Sequence, residues 1–251
     1  MHPIERLRFV ARATGVDDSL LAIEATAALM SFAHQPAALV AGCRRVLARQ
    51  PLCGPLWWSC ARILTAEDVW AVAQEVISQL EDDPTDAALE YALGGTEDPG
   101  RDEHGHDNYD NYDDLGFDDL DGTATGPAVM RARAMGGGQV AVSTWHEIRG
   151  ERGSPPDQGS GMASGSDTAS RVGQSWLVIP VGAHLSDPMW DALRSNVERS
   201  GDRAGRHPQD RVQFRDLSEF SHFVGPYGLL PMVALEESDC PVAPELFRLD
   251  G

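Results

Sequence analysis

The residues best suited to chemistry are His146 and Glu147, an imidazole next to a carboxylate. Both side chains take up and release protons, so general acid–base catalysis is the chemistry that this pair suggests. The pair follows a predicted strand, and α/β domains place working side chains at strand ends. No serine or cysteine near the pair stands in a nucleophile-elbow pattern. We therefore assign no catalytic residue and keep His146 and Glu147 as candidates, with an ordinary surface pair as the alternative.

Two histidines flanked by aspartates are the candidate metal ligands. They are His104 and His106, with Asp102 and Asp107 beside them, and such side chains bind transition metals. The acidic run from Asn111 suggests calcium, but its fifth position is Leu115 and its twelfth is Gly122, where a calcium loop needs oxygen ligands. We expect no metal site and no cofactor.

Two glycine-rich stretches are candidate phosphate sites, because glycine backbone N–H groups can approach an anion closely. They are residues 136–138 and residues 159–166. Neither stretch fits the dinucleotide-binding fingerprint, which needs a strand, spaced glycines and a helix in that order. A mobile loop is the favoured interpretation of both.

The four cysteines, Cys43, Cys53, Cys60 and Cys240, show no C-x-x-C spacing. A disulfide framework is not expected in a chain of this length, so we predict reduced, mostly buried thiols in a cytoplasmic protein. The first residues lack the continuous apolar stretch of a secretory signal. No apolar run approaches the roughly 20 residues that cross a bilayer.

The basic residues are all arginine: the chain has 20 of them against 39 acidic residues, a net charge of −19. A chain without lysine forms no lysine Schiff base and has no Walker-type lysine for a phosphate. It also has no basic excess to neutralise phosphates, so binding to nucleic acid or to an anionic membrane is not expected. About half of the net charge lies in residues 96–122, which hold eleven acidic side chains and one arginine. We predict an acidic disordered linker there.

Residues 1–95 show helical periodicity throughout. The predicted boundaries are an end at Gly15, a cap at Asp17 or Asp18, a first turn at Pro36, a capping box from Thr65 to Asp68, and a last helix from Asp83 to Gly94. Of the adjacent Trp57 and Trp58, one ring is predicted in the core and the other half-exposed. Six short helices favour a compact helical bundle or a pair of stacked hairpins.

Residues 123–251 change to a mixed pattern. The predicted elements are a helix at 127–135, strands at 139–144 and 176–181, a helix at 187–197, a strand at 211–214, a helix at 217–224 and a short helix at 244–247. Residues 150–170 are rich in glycine, serine and proline and predict a flexible loop. The predicted fold class is therefore α+α/β, a helical domain joined by the linker to a small, truncated Rossmann-like domain with a parallel sheet.

Four segments after the linker carry a family resemblance. They are WLVIPVG at 176–182, DPMWDAL at 187–193, DLSEFSHFVGPYG at 216–228 and DCPVAPEL at 239–246, supported by IERLRFVARA at 4–13 and GPLWWSCAR at 54–62. They resemble a group of actinobacterial proteins similar to the alpha, beta and delta subunits of eukaryotic translation initiation factor 2B. The same superfamily includes the ribose-1-phosphate and methylthioribose-1-phosphate isomerases. The resemblance implies an N-terminal helical domain followed by a Rossmann-like domain.

The isomerases of that superfamily carry a catalytic cysteine in a Thr-x-Cys-Asn context, an aspartate in a Gly-Ala-Asp-Arg context and an Asn-Lys pair. None of these motifs occurs here. We therefore expect a non-catalytic binding or regulatory protein that recognises a sugar phosphate, a nucleotide or a protein partner, or that forms a homo-oligomer. A diverged sugar-phosphate isomerase using His146 and Glu147 is the alternative. A third interpretation treats residues 1–95 as a helical-repeat interaction module.

Overall fold

A computed structural model of the protein describes residues 3–94, 128–143, 175–200 and 212–247. The first range contains six α-helices: α1 (Pro3–Val10), α2 (Asp18–Leu29), α3 (Pro36–Leu47), α4 (Gly54–Thr65), α5 (Val69–Glu81) and α6 (Thr85–Ala92). The six helices predicted for this part of the chain are confirmed. Among the described residues, no helix is long and apolar enough to span a bilayer. The predicted linker 96–122, the predicted loop 150–170 and the histidines at 104 and 106 lie outside the described residues.

Capping side chains mark where two of these helices, α2 and α5, begin. The carboxylate of Asp17 accepts hydrogen bonds from the backbone N–H groups of the first turn of α2, as predicted. Asp68 does the same for α5. The predicted capping box from Thr65 is wrong, because Thr65 is the last residue of α4 and its hydroxyl donates to the Ala61 carbonyl at 2.9 Å. The starts of α2 and α5 are therefore fixed locally, by an aspartate placed just before each helix.

The remaining ranges contain six strands and one helix. These are β1 (Ala128–Gly136), β2 (Gln139–Ser143), β3 (Ser175–Val178), α7 (Asp187–Ser200), β4 (Val212–Asp216), β5 (His222–Gly225) and β6 (Gly228–Pro231). They form one sheet in the order β4-β2-β1-β3-β5-β6. β3 is parallel to both β1 and β5, while β2 is antiparallel to β1 and β4, and β6 is antiparallel to β5. The protein thus combines helices with a mixed sheet, and the expectation of an all-parallel sheet is wrong.

The predicted helix at 127–135 is wrong, because the chain forms the central strand β1 there. Alanine and arginine in this stretch favour a helix when they are considered alone. β1 instead pairs with β2 on one side and β3 on the other, and Ala132, Ala134 and Met135 are buried. Pairing with distant segments therefore overrides the local preference.

The predicted helix at 217–224 is also wrong. Only Leu217–Glu219 is helical, as a single 3₁₀ turn, and the chain then enters β5. Phe223 and Val224 are buried in that strand, and the turn from Gly225 to Gly228 leads directly into β6. Apolar residues spaced three or four apart suit a helix, but a short buried strand next to a glycine-rich turn contains the same residue types.

The described residues form two hydrophobic clusters. The smaller one belongs to the sheet and includes Met135, Leu177 and Phe223. The larger one joins buried residues of α1 to α5 to Ala134 of β1, Ala141 of β2, and Trp190 and Leu193 of α7. Trp57 and Trp58 are both buried there, so the prediction that one ring is half-exposed is wrong. The boundaries 1–95, 96–122 and 123–251 stay a prediction, but the described parts of both flanking segments pack together.

Candidate functional site

The strands of the sheet end at two opposite sides, and only one of these sides collects the ends of the parallel strands. β1, β3 and β5 end at one edge, which we call the carboxyl edge, and parallel sheets place ligand sites outside such an edge. β2 runs the opposite way, and its last residue, Ser143, pairs with Val212 at the start of β4. The strand that precedes His146 and Glu147 therefore ends at the other edge. Both residues lie outside the described ranges, and their role stays a prediction.

The loop that follows β3, residues 179–186, covers the carboxyl edge and is fixed to the helices. The backbone N–H of Val181 donates to the carboxylate of Asp83, just before α6, at 2.9 Å. Gly182 has a positive φ of 75°, and a Cβ there would lie 3.0 Å from the Trp58 ring. Glycine is needed because the loop must lie against that ring in a left-handed conformation. The loop is therefore positioned by the helical segment.

A second segment, residues 236–247, lies against this loop, and we call it the strap. The Ser238 hydroxyl donates to the carbonyl oxygen of His184 at 2.6 Å, and the N–H of Cys240 donates to the Ser238 hydroxyl at 3.1 Å. Leu246, near the end of the strap, is fully buried. The strap thus holds its polar residues next to the loop after β3.

The pKa values of the titratable groups at this contact disfavour nucleophilic catalysis. Burial lowers the pKa of His184, although Asp239 and Asp187 act in the opposite direction. Burial raises the pKa of the Cys240 thiol to about 11, so the thiol is protonated at neutral pH. A protonated thiol is a poor nucleophile. Cys53 and Cys60 are also buried with raised pKa values, mainly through desolvation, and the prediction of buried thiols is confirmed.

An open cleft of about 410 Å³ lies between helices α4 and α5 and the strap. We call it the α4–α5 cleft. Its lining residues are Arg62, Thr65, Ala66, Val72, Glu75, Gln79, Asp239 and Pro241. Both polar and apolar side chains contribute to its walls. In the described part of the chain, no three histidine, cysteine or acidic side chains stand together as a metal site.

Arg62 is the central residue of the α4–α5 cleft, and its position is fixed from three sides. Its Nη1 donates to Gln79 Oε1 at 2.8 Å, and its Nη2 lies 3.0 Å from Glu75 Oε1. Its guanidinium also lies over the Trp58 ring, 5.0 Å from the centroid, in a cation–π contact. Gln79 donates to the same Glu75 oxygen at 3.1 Å, which closes the network. The three side chains are therefore paired with one another before any ligand arrives, and Arg62 lies over the same Trp58 ring that the Gly182 backbone approaches.

The glycines at 136–138 form a structured turn, so the interpretation of that stretch as a mobile loop is wrong. Gly137 and Gly138 have positive φ values of 54° and 75°, as a two-residue hairpin turn between β1 and β2 requires. The N–H of Gly137 donates to a carboxylate oxygen of Asp187 at 2.9 Å. A phosphate would meet that carboxylate, so the turn does not offer an anion site. Residues 159–166 lie outside the described ranges.

Sequence reasoning missed the α4–α5 cleft, although two local signals pointed toward it. Glu75 and Gln79 are four residues apart on one helix and so share a face. Asp239 begins the segment DCPVAPEL, at 239–246, which carries part of the family resemblance. Nothing local links either signal to Arg62, because α4 and the strap are distant in the chain. In comparisons with known proteins, no family model, no curated protein and no solved structure matches this chain.

Proposed function

We propose that this chain is a non-catalytic binding or regulatory protein of the initiation-factor-2B-like superfamily, acting in the cytoplasm, with its ligand held in the α4–α5 cleft. The observation that carries the proposal is the fixed network of Arg62, Glu75 and Gln79 in a concave wall. Polar groups that are already oriented lose little entropy when a ligand arrives, which favours binding.

The ancestry part of the proposal has separate support. The segments at 176–182, 187–193, 216–228 and 239–246 resemble that superfamily. In this chain, as in members of the superfamily, a helical segment precedes a sheet. The parallel trio β1, β3 and β5 is compatible with a Rossmann-like origin, to which antiparallel strands were added on both sides. Four unpaired, buried cysteines support a reducing compartment. A homo-oligomer or a protein partner belongs to the same proposal.

The alternatives have less support. A sugar-phosphate isomerase would depend on His146 and Glu147, which lie outside the described residues, and the thiol of Cys240 near the carboxyl edge is protonated at neutral pH. A free-standing helical-repeat module would have its own core, whereas residues of α2 to α5 share theirs with the sheet. The non-catalytic binding protein is therefore the function we put to experiment.

The experiment is a thermal-shift screen of the full chain against sugar phosphates, nucleotides, amino acids and short peptides of either charge. A ligand at a hundredfold excess over its dissociation constant stabilises the folded state by about 2.7 kcal/mol. Thr65→Trp, at an exposed position in the cleft lining, should abolish that stabilisation by filling the cleft. Ala71→Trp, on the exposed face of α5 outside the lining, is the matched control and should retain it.

Two results would contradict the proposal. Clear turnover of ribose 1-phosphate or methylthioribose 1-phosphate by the purified protein would show an enzyme, and the His146 and Glu147 variants would then test the isomerase alternative. A ligand that binds Thr65→Trp as well as it binds the unmodified protein would place the site elsewhere.

A further inference from the structure

We infer that the α4–α5 cleft binds a cationic side chain, arginine or lysine, presented by a protein partner. The inference rests on the proposed function, because it names the ligand class of the same cleft. It follows from two features of the lining. One is the negative charge that no arginine of the lining neutralises, and the other is the apolar surface beside that charge.

Arg62 does not leave a positive charge available to a ligand. Its guanidinium is paired with the Glu75 carboxylate at 3.0 Å and with the Gln79 amide oxygen at 2.8 Å. Its flat face is occupied by Trp58, and its side chain is only 20% exposed. The arginine is therefore neutralised within the cleft wall and serves to orient Glu75.

Asp239 supplies the charge that is left over. It lies on the strap at an exposed position, and its side chain makes no hydrogen bond or salt bridge with the described residues, although it acts electrostatically on His184. Glu75 also stays half-exposed, with its side chain at 51%. The lining thus carries one unbalanced negative charge at its rim, in a chain whose net charge is −19. Such a site attracts cations and repels phosphates.

The apolar part of the lining suits the stem of a long basic side chain. Val72 on α5, Pro241 on the strap and Ala66 at the end of α4 all line the cleft. Arginine and lysine place their methylene groups along apolar surface while the charged head meets water or a carboxylate. A free inorganic cation would leave this apolar surface uncovered, so a side chain of a partner is the better occupant of an open cleft.

The test compares two peptides that differ only in charge. Acetyl-Gly-Gly-Arg-Gly-Gly-amide and its citrulline counterpart have nearly the same shape, and each is titrated into the full chain at low salt by NMR. We expect the arginine peptide to bind about fivefold more tightly, which is the upper range for an exposed ion pair. Asp239→Asn should weaken it by a similar factor. Glu237→Gln, the same loss of charge on the strap outside the cleft lining, should change it less than about twofold.

Each other outcome overturns the inference. Equal binding of the citrulline peptide, or no binding of either peptide, excludes recognition of a cation. Binding of inorganic phosphate that Asp239→Asn strengthens would show an anion site. If phosphate binds and Thr65→Trp abolishes that binding, the α4–α5 cleft is still the ligand site, but its ligand is an anion and the inference of a cationic ligand is wrong. If Thr65→Trp weakens the binding of no screened ligand, the proposed function and the inference are both wrong.

Discussion

Arg133 and Asp18 form a two-point ion pair between β1 and the first residue of α2. Arg133 Nε lies 2.8 Å from Asp18 Oδ2, and Nη2 lies 2.7 Å from Oδ1. The two side chains are only 24% and 17% exposed, and the residues are 115 positions apart in the chain. A planar guanidinium that donates to both carboxylate oxygens fixes the relative orientation of the two side chains as well as the distance between them. This pair therefore helps to fix the helical segment against the sheet.

Removing the charge of Asp18 should destabilise the whole protein. Asp18→Asn removes the negative charge from an ion pair whose two side chains are mostly shielded from water, and we expect a loss of about 2 kcal/mol in the free energy of unfolding. Glu5→Gln breaks the exposed pair with Arg8 and should cost less than about 0.5 kcal/mol. Urea denaturation of both variants measures the difference. Equal losses would show that the ion pair of Asp18 does not hold the two segments together.

Gly54 should tolerate no side chain, because α4 begins directly against β1. A Cβ at Gly54 would lie 2.3 Å from the carbonyl oxygen of Arg133 and 3.0 Å from the Cα of Ala134. Both are backbone atoms of a central strand, so we expect Gly54→Ala to lower the free energy of unfolding by about 2 kcal/mol or more.

Gly42, inside α3, is the matched control for that substitution. A Cβ there would meet the end of the Leu29 side chain at 2.8 Å, which can rotate away. The higher helix propensity of alanine, about 1 kcal/mol, offsets the crowding, so Gly42→Ala should be close to neutral. Thermal unfolding of the two variants checks the contrast. A stable Gly54→Ala protein would mean that α4 can move away from β1.

The parts of the fold that could be predicted are those with a local cause. Asp17 and Asp68 cap helices whose N–H groups are two and three residues away, so sequence alone locates them. β1 has no such signal, because its partners β2 and β3 decide its conformation. The α4–α5 cleft is less predictable still. Its composition depends on the strap reaching α5, which only the packed core determines.

All four cysteines should be unreactive in the folded protein. Cys43, Cys53 and Cys60 are fully buried, and Cys240 is 4% exposed with a pKa of about 11. A thiol reagent should therefore label no cysteine rapidly under native conditions and four after denaturation. Rapid labelling of Cys240 in the native protein would contradict the description of the strap and reopen nucleophilic chemistry there.

His184 should make the protein less stable in acid. Burial lowers the pKa of His184 in the folded state below its value of about 6.5 in the unfolded chain. Between those two values the unfolded state binds more protons, so the free energy of unfolding falls as the pH falls. The stabilising contribution of the neutral imidazole is complete above the unfolded pKa and is lost as the pH passes down through the folded one.

His184→Gln removes this titration, and the stability of that variant should fall less steeply from about pH 7.5 to about pH 5 than that of the unmodified protein. His34→Gln, the same substitution at an exposed position, is the control. Denaturant midpoints at several pH values measure both slopes. A slope for His184→Gln as steep as that of the unmodified protein would mean that Asp187 and Asp239 compensate fully for the burial of the imidazole, since both favour its charged form.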